Sequence, residues 1–89
     1  MRAVISVIGR DTVGILAAVS GECAKYNINV TDVTQSILQD MFVMVMLIDI
    51  TEMTIPLTGL ADRLDALGAE KRLSIRVMHE DIFNAMHNI

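Results

Sequence analysis

The sequence predicts a ferredoxin-like α+β sandwich: a βαββαβ chain with a four-stranded antiparallel sheet, two helices on one face and a short C-terminal helix. Two observations carry this prediction. Strand-like and helix-like patterns follow one another as strand, helix, strand, strand, helix, strand, which is a doubled βαβ order. The 89 residues, 53% of them hydrophobic, also suffice for one modest core. We therefore expect residues 1–89 to form a single domain.

The first half of this pattern begins with a continuous apolar run from Ala3 to Ile8, which indicates a central strand covered on both faces. Apolar residues at helical spacing then predict a first helix from Gly14 to Tyr26. Asp11 or Thr12 is the expected N-cap of this helix. Asn27 stands where a left-handed residue often follows the end of a helix.

The middle of the chain predicts a hairpin of two different strands. The half-polar stretch from Val30 to Leu38 suits an edge strand, and Gln39-Asp40 suits the turn after it. Met41 to Ile50 has apolar residues on both of its faces. With both helices on one side of the sheet, the second apolar face needs another cover, which the terminal helix or a second subunit could supply.

The last part of the chain predicts a helix, a strand and a short terminal helix. Leucines spaced i, i+3, i+4 and i+7 after Pro56 indicate an amphipathic helix. Gly68 either ends this helix or lies within a last turn that reaches Lys71. Leu73 to Met78 alternates as a strand does, and the apolar residues of Asp81 to Ile89 have helical spacing.

The turn between the first strand and the first helix is the best candidate for a binding site. A helix that begins there presents unpaired N–H groups and a positive dipole end, which suits a carboxylate or a phosphate. Ile15 and Leu16 stand where the Lys and Ser or Thr of a phosphate loop must be, which excludes nucleotide chemistry of that kind. An acylphosphatase would need an arginine shortly after its glycine loop, and Arg10 is the only candidate in this turn.

Charge and composition narrow the expected partners. The net charge of −4 and the scattered basic residues argue against direct binding to nucleic acid. One cysteine excludes a disulfide framework and favours a reducing compartment. The longest apolar run, Met41 to Ile48, is far shorter than the roughly 20 residues that cross a membrane. We therefore expect a cytoplasmic protein with no membrane partner.

Reactive side chains in the sequence do not converge on a catalytic set. Cys23 lies on the apolar stripe of the first helix and is expected to be an inert core residue. His79 and His87 lack the i, i+4 spacing of a helical metal pair and are interpreted as surface residues, with a site formed across subunits as the alternative. Asp32 either binds an ammonium group or keeps the edge strand from pairing. The sequence therefore predicts no enzyme, no cofactor and no metal site.

Two segments together resemble the ACT domain, a small regulatory module that senses amino acids. They are Asp11-Thr12-Val13-Gly14-Ile15-Leu16 and Tyr26-Asn27-Ile28-Asn29-Val30. The resemblance covers nearly the whole chain. The full chain, up to the ending His79 to Ile89, is also similar to a family of stand-alone bacterial and archaeal ACT proteins related to the transcriptional repressor of the glycine cleavage system.

This resemblance implies a dimer whose edge strands meet, with an amino acid bound between the first loop of one subunit and the second strand of the other. It implies that the backbone of the first loop holds the ligand carboxylate, that Asp11 sets the loop or meets the ammonium group, and that Asn29 bonds the polar head of the ligand. The ligand-binding residues it implies are Asp11, Thr12, Val13, Gly14, Ile15, Asn29 and Val30.

The expected function is therefore a dimeric, amino-acid-binding regulatory module without catalysis. Its expected partners are a small-molecule ligand, a second copy of the chain, and a regulated enzyme or regulator protein. The alternative is an orphan interaction domain that has no small ligand and assembles through its apolar second sheet face and terminal helix.

Overall fold

The secondary structure follows the predicted order. The computed structural model describes residues 1–10 and 13–87, so two predicted site residues, Asp11 and Thr12, lie outside the described part of the chain. The end of the predicted terminal helix, residues 88–89, also lies outside it. The elements are β1 (Arg2–Gly9), α1 (Ile15–Lys25), β2 (Asn29–Leu38), β3 (Met41–Asp49), α2 (Leu57–Lys71), β4 (Ser74–His79) and α3 (Glu80–His87).

The four strands form one antiparallel sheet in the order β2-β3-β1-β4. The two central strands are the two most apolar ones, β1 and β3, and the half-polar strand β2 is at an edge as predicted. This arrangement confirms the ferredoxin-like α+β fold. Across the described residues, no helix is long and apolar enough to span a membrane.

The core lies between one face of the sheet and the helices α1 and α2. One apolar face of β3 is buried in this core, because its alternate residues from Phe42 to Ile48 are at most 5% exposed. The other apolar face, also expected to be covered, is covered only in part, since Met41 is 40% exposed. Methionine and branched aliphatic side chains supply most of the burial, as the composition predicts. The fully buried side chains of largest volume are Ile5, Ile15, Met44, Met46, Ile48, Leu60 and Leu64.

The start of α1 differs from the prediction. Its N-cap is Gly14, with φ 74°, and the helix begins at Ile15, so the expected N-cap at Asp11 or Thr12 is wrong. The physical reason is the left-handed backbone of Gly14, which a right-handed helix cannot pass through. At the other end Asn27 has φ 60°, which confirms the predicted left-handed residue.

The helix α2 includes Gly68 and reaches Lys71, so the second of the two predicted endings is the correct one. A Cβ atom on Gly68 would lie 2.6 Å from the carbonyl oxygen of Leu73, which is closer than real contacts allow. Glycine therefore lets the end of α2 pack directly on the chain that leads into β4. Arg72 follows in the left-handed conformation, with φ 58°.

The second face of the sheet is covered in part by α3. Within the described chain, α3 contacts β1 and β4 but neither α1 nor α2, which places it on the opposite face. Val4 is 4% exposed although it lies outside the main core, and Arg2 Nε donates a 2.9 Å hydrogen bond to Glu80 Oε2. Farther along this face, Ile8 and Met41 are each 40% exposed. The terminal helix thus covers one end of the second face and leaves the other open.

Candidate functional site

The turn before α1 has the geometry expected of a cradle for an anion. The N–H of Ala18 donates to the carbonyl oxygen of Gly14 at 2.9 Å, so the three N–H groups before Ala18 have no helical carbonyl to bond. A Cβ atom on Gly14 would find nothing within 4 Å, and Val13 is 84% exposed. The described part of this turn is therefore open to a ligand. Ile15, in contrast, buries its side chain in the core and offers only its backbone.

The two predicted residues on β2 lie at the other end of the sheet. Asn29 is paired with Asp49, which is paired with Arg2 at the start of β1, whereas the turn follows Gly9 at the end of β1. From Arg2 to Gly9 the strand rises by roughly 23 Å at about 3.3 Å a residue. Within one chain, therefore, the Gly14 turn and the pair Asn29 and Val30 are far apart.

The edge strand β2 is nearly uncovered. Each of its residues is exposed except Val33, which is half-buried, and Ile37 and Leu38 are 68% and 70% exposed. A bulge interrupts the pairing between Val30 and Asp32. The one charged residue of β2, Asp32, accepts a 2.9 Å hydrogen bond at Oδ1 from the N–H of Val33. Strand edges that must stay single are usually protected by charged residues, proline, bulges or short length. β2 has no lysine or proline and is ten residues long, so its bulge and Asp32 are the features that protect it.

The cysteine and histidine predicted to be unreactive have different surroundings. Cys23 is fully buried, and burial, followed by the nearby charge of Glu22, raises the pKa of its thiol to about 11. The predicted core position of Cys23 is confirmed. His79 precedes α3, and its Nδ1 accepts a 3.1 Å hydrogen bond from the N–H of Asp81. Among the side chains that the structure describes, no three from His, Cys, Asp or Glu are grouped as metal ligands.

Three basic side chains that are scattered in the sequence meet at one corner of the structure. Arg10, Lys71 and Arg72 line a common cavity at the end of the sheet where β1 stops and β4 starts. The positions of these residues along the sequence do not by themselves show this grouping. The predicted strand order could have indicated this grouping, because antiparallel pairing of β1 and β4 places the turn after β1 beside the turn before β4.

A family model described as the ACT domain matches residues 2–78. The chain belongs to the ACT domain family. A UPF0237 protein of Listeria innocua is 44% identical over 89 residues, which is 100% of both chains. The solved structure of an ACT domain protein from Streptococcus pneumoniae is 32% identical, with a TM-score of 0.82 and 98% of each chain covered. This ACT domain thus has relatives of its own length.

A more distant neighbour shares the fold. A solved structure titled as a putative glycine cleavage system transcriptional repressor has a TM-score of 0.70 and is 23% identical, covering 86% of this chain and 44% of that one. At this identity the likeness is one of fold. ACT domains are generally regulatory domains that bind small molecules, and this coarse function is what the family membership gives.

Proposed function

We propose that residues 1–89 form one cytoplasmic ACT domain that binds an amino acid between two identical subunits and has no catalytic activity of its own. The observation that carries the proposal is the separation of the Gly14 turn from Asn29 and Val30. One subunit holds these two halves at opposite ends of its sheet. A site that uses both halves therefore needs residues from two subunits.

A two-fold dimer through β2 would join the two halves. When two copies of an edge strand pair antiparallel, the first residue of one strand lies beside the last residue of the other. Leu38, at the end of β2, is at the same end of the sheet as Gly9 and the turn that follows it. Asn29 of one subunit would therefore lie at the end where the partner subunit presents its turn.

The exposed edge of β2 supports this arrangement. The stretch from Val33 to Leu38, beyond the bulge and Asp32, with its exposed Ile37 and Leu38, is suited to pairing with another strand. The helix α1 contacts β2, so this helix and the exposed edge are neighbours in the fold. The amino-acid site would form where the two edges meet.

The chemistry of each half fits one end of an amino acid. The N–H groups at the start of α1, with the backbone of Thr12, Val13, Gly14 and Ile15, would bind the carboxylate. Asn29 would form a hydrogen bond to the polar head of the ligand through its side-chain amide, with Val30 beside it. Asp11 would either fix the conformation of the loop or accept a hydrogen bond from the ammonium group of the ligand. Binding would stabilise the dimer and change the surface presented to a regulated enzyme or regulator protein, because the ligand favours the state that completes its site.

A thermal-shift screen of the twenty amino acids tests this proposal. A ligand at about 100 times its Kd adds roughly 2.7 kcal/mol to the free energy of unfolding, which raises Tm by several degrees in a domain of this size. Gly14→Asn should abolish that shift, since asparagine tolerates a left-handed backbone but adds a side chain to the open cradle. Asn29→Ala should reduce the shift through the other half of the site.

The control for Gly14→Asn is Gly21→Asn, because Gly21 also has open space around it but lies on the exposed side of α1. This variant should keep the full ligand-induced shift. No shift with any amino acid would contradict the proposal and favour the interaction domain without a ligand. Retained binding in Gly14→Asn would place the site away from the turn.

A further inference from the structure

A second candidate site lies at the open end of the sheet face that α3 leaves uncovered. A cavity of about 620 Å³ lies there, lined by Ile8, Arg10, Met41, Lys71, Arg72 and Ser74 among others. Ile8 and Ser74 are directly paired on neighbouring strands. The segments after β1 and before β4 supply the basic residues of the cavity. Its volume is in the range of small-molecule pockets, about 300–1,000 Å³.

The charge at this cavity is opposite to that of the whole protein. The chain has a net charge of −4 with seven lysines and arginines, and three of the seven line this cavity. The side chains of Lys71 and Arg72 form no ion pair with any carboxylate among residues 1–10 and 13–87. Arg10 Nε lies 3.8 Å from Asp40 Oδ2, but both side chains are more than 70% exposed, so water screens this pair. Among the described residues that line the cavity, none is acidic.

The backbone of Arg72 gives an independent indication that its side chain has a role. Its φ of 58° lies in the left-handed region, where glycine or asparagine is the usual residue after a helix. The N–H groups of Arg72 and Leu73 both donate to the carbonyl oxygen of Gly68, and glycine at position 72 would make the same bonds. The helix ending therefore does not need a guanidinium group at this position.

We propose that this cavity binds a small organic anion that carries at least two negative charges, a phosphate ester or a polycarboxylate. Arg10, Lys71 and Arg72 would hold the charged groups, because guanidinium groups bind phosphate and carboxylate in a bidentate manner. The hydrocarbon part would lie against Ile8 and Met41. This cavity opens on the sheet face away from the core and uses neither Gly14 nor Asn29. Lys71 and Arg72 also line a neighbouring cavity with Val13 and Ile15, so the two proposed sites adjoin at these basic residues.

Binding of two simple probes, pyrophosphate and citrate, tests the proposal by NMR titration of the full chain. The amide signals of Gly9, Arg10 and Ser74 should shift with either probe, while those of Asn29 and Val30 should stay unchanged. Arg72→Gly and Lys71→Gln should each raise the Kd by about tenfold, the loss expected for one charge-assisted contact. Arg72→Gly should fold at least as well as the parent, because it relieves the left-handed backbone.

The matched control is Arg63→Gln, which removes one positive charge from the exposed surface of α2 away from the cavity. This variant should bind both probes with unchanged Kd. The proposal is overturned if neither probe shifts these signals at about 10 mM, ten times a Kd of about 1 mM. It is also overturned if Arg63→Gln weakens binding as much as Lys71→Gln, because the attraction would then be that of the overall charge.

Discussion

At the scale of single residues, the clearest electrostatic feature is the carboxylate of Asp49 at the end of β3. Its Oδ1 accepts a hydrogen bond of 2.6 Å from the Thr51 hydroxyl and one of 2.9 Å from the Thr51 N–H. These two bonds, in that order, lower the pKa of Asp49 below its ordinary value of 3.8, and Arg2 adds a smaller effect. The charged form of Asp49 is therefore the one that the folded state favours.

The sign of this shift predicts how stability depends on pH. Because the folded pKa is depressed, the stabilisation is present above the unfolded pKa and is lost as the pH falls through the folded value. The free energy of unfolding of the parent should exceed that of Asp49→Asn near pH 6, and the difference should shrink as the pH falls below 4. Urea unfolding at a series of pH values measures both proteins.

A control variant separates the effect of the Asp49 hydrogen bonds on stability from the effect of losing one negative charge. Asp65→Asn removes the same charge from the exposed surface of α2 and is measured over the same pH series. If the two variants differ from the parent by the same amount at every pH, the bonds from Thr51 have no role in stability.

At the scale of the elements, the effect of replacing a helical glycine depends on what surrounds it. Gly68→Ala should destabilise the protein by about 1–3 kcal/mol, since its Cβ would meet the backbone carbonyl of Leu73 at 2.6 Å and the strain exceeds the better helix propensity of alanine. Gly21→Ala is the same substitution within α1, where a Cβ meets nothing within 4 Å, and it should stabilise by up to about 1 kcal/mol. Chemical denaturation of the two variants should give opposite signs. Equal signs would show that the contact with Leu73 is relieved by a small shift.

Local patterns in the sequence predict the helices and strands well, but they predict less well how the helices end and which distant residues the fold brings together. Alternation and helical spacing depend on neighbours along the chain, which is why the order of the elements and the left-handed Asn27 are predicted correctly. The N-cap at Gly14 is missed because Asp and Thr are the usual N-cap residues, and Asp11 and Thr12 precede it in the sequence. The left-handed backbone of Gly14 instead fixes the start of the helix at Ile15. The corner formed by Arg10 and Lys71 is missed because it depends on two turns far apart in sequence.

At the scale of the whole molecule, the two proposed sites lie on different parts of the sheet. The amino-acid site belongs to the β2 edge and needs two subunits, whereas the anion site lies within one chain on the uncovered face. A ligand at a site shared by two subunits must strengthen their association, and association must strengthen its binding by the same factor. Dimerisation through β2 is therefore the property on which the amino-acid site depends.

A charge placed in the middle of β2 tests this dimer directly. In a two-fold interface the central residue of the edge strand lies near its own copy, so Thr34→Lys would bring two positive charges together. The parent should sediment as a dimer, and Thr34→Lys should raise the dimer dissociation constant at least about tenfold, which is roughly 1.4 kcal/mol. Thr58→Lys, on the exposed first turn of α2, makes the same change away from the edge and should leave the dimer intact. An undiminished dimer in Thr34→Lys would mean that the β2 edges do not meet, and a shared site between the Gly14 turn and Asn29 could not form there.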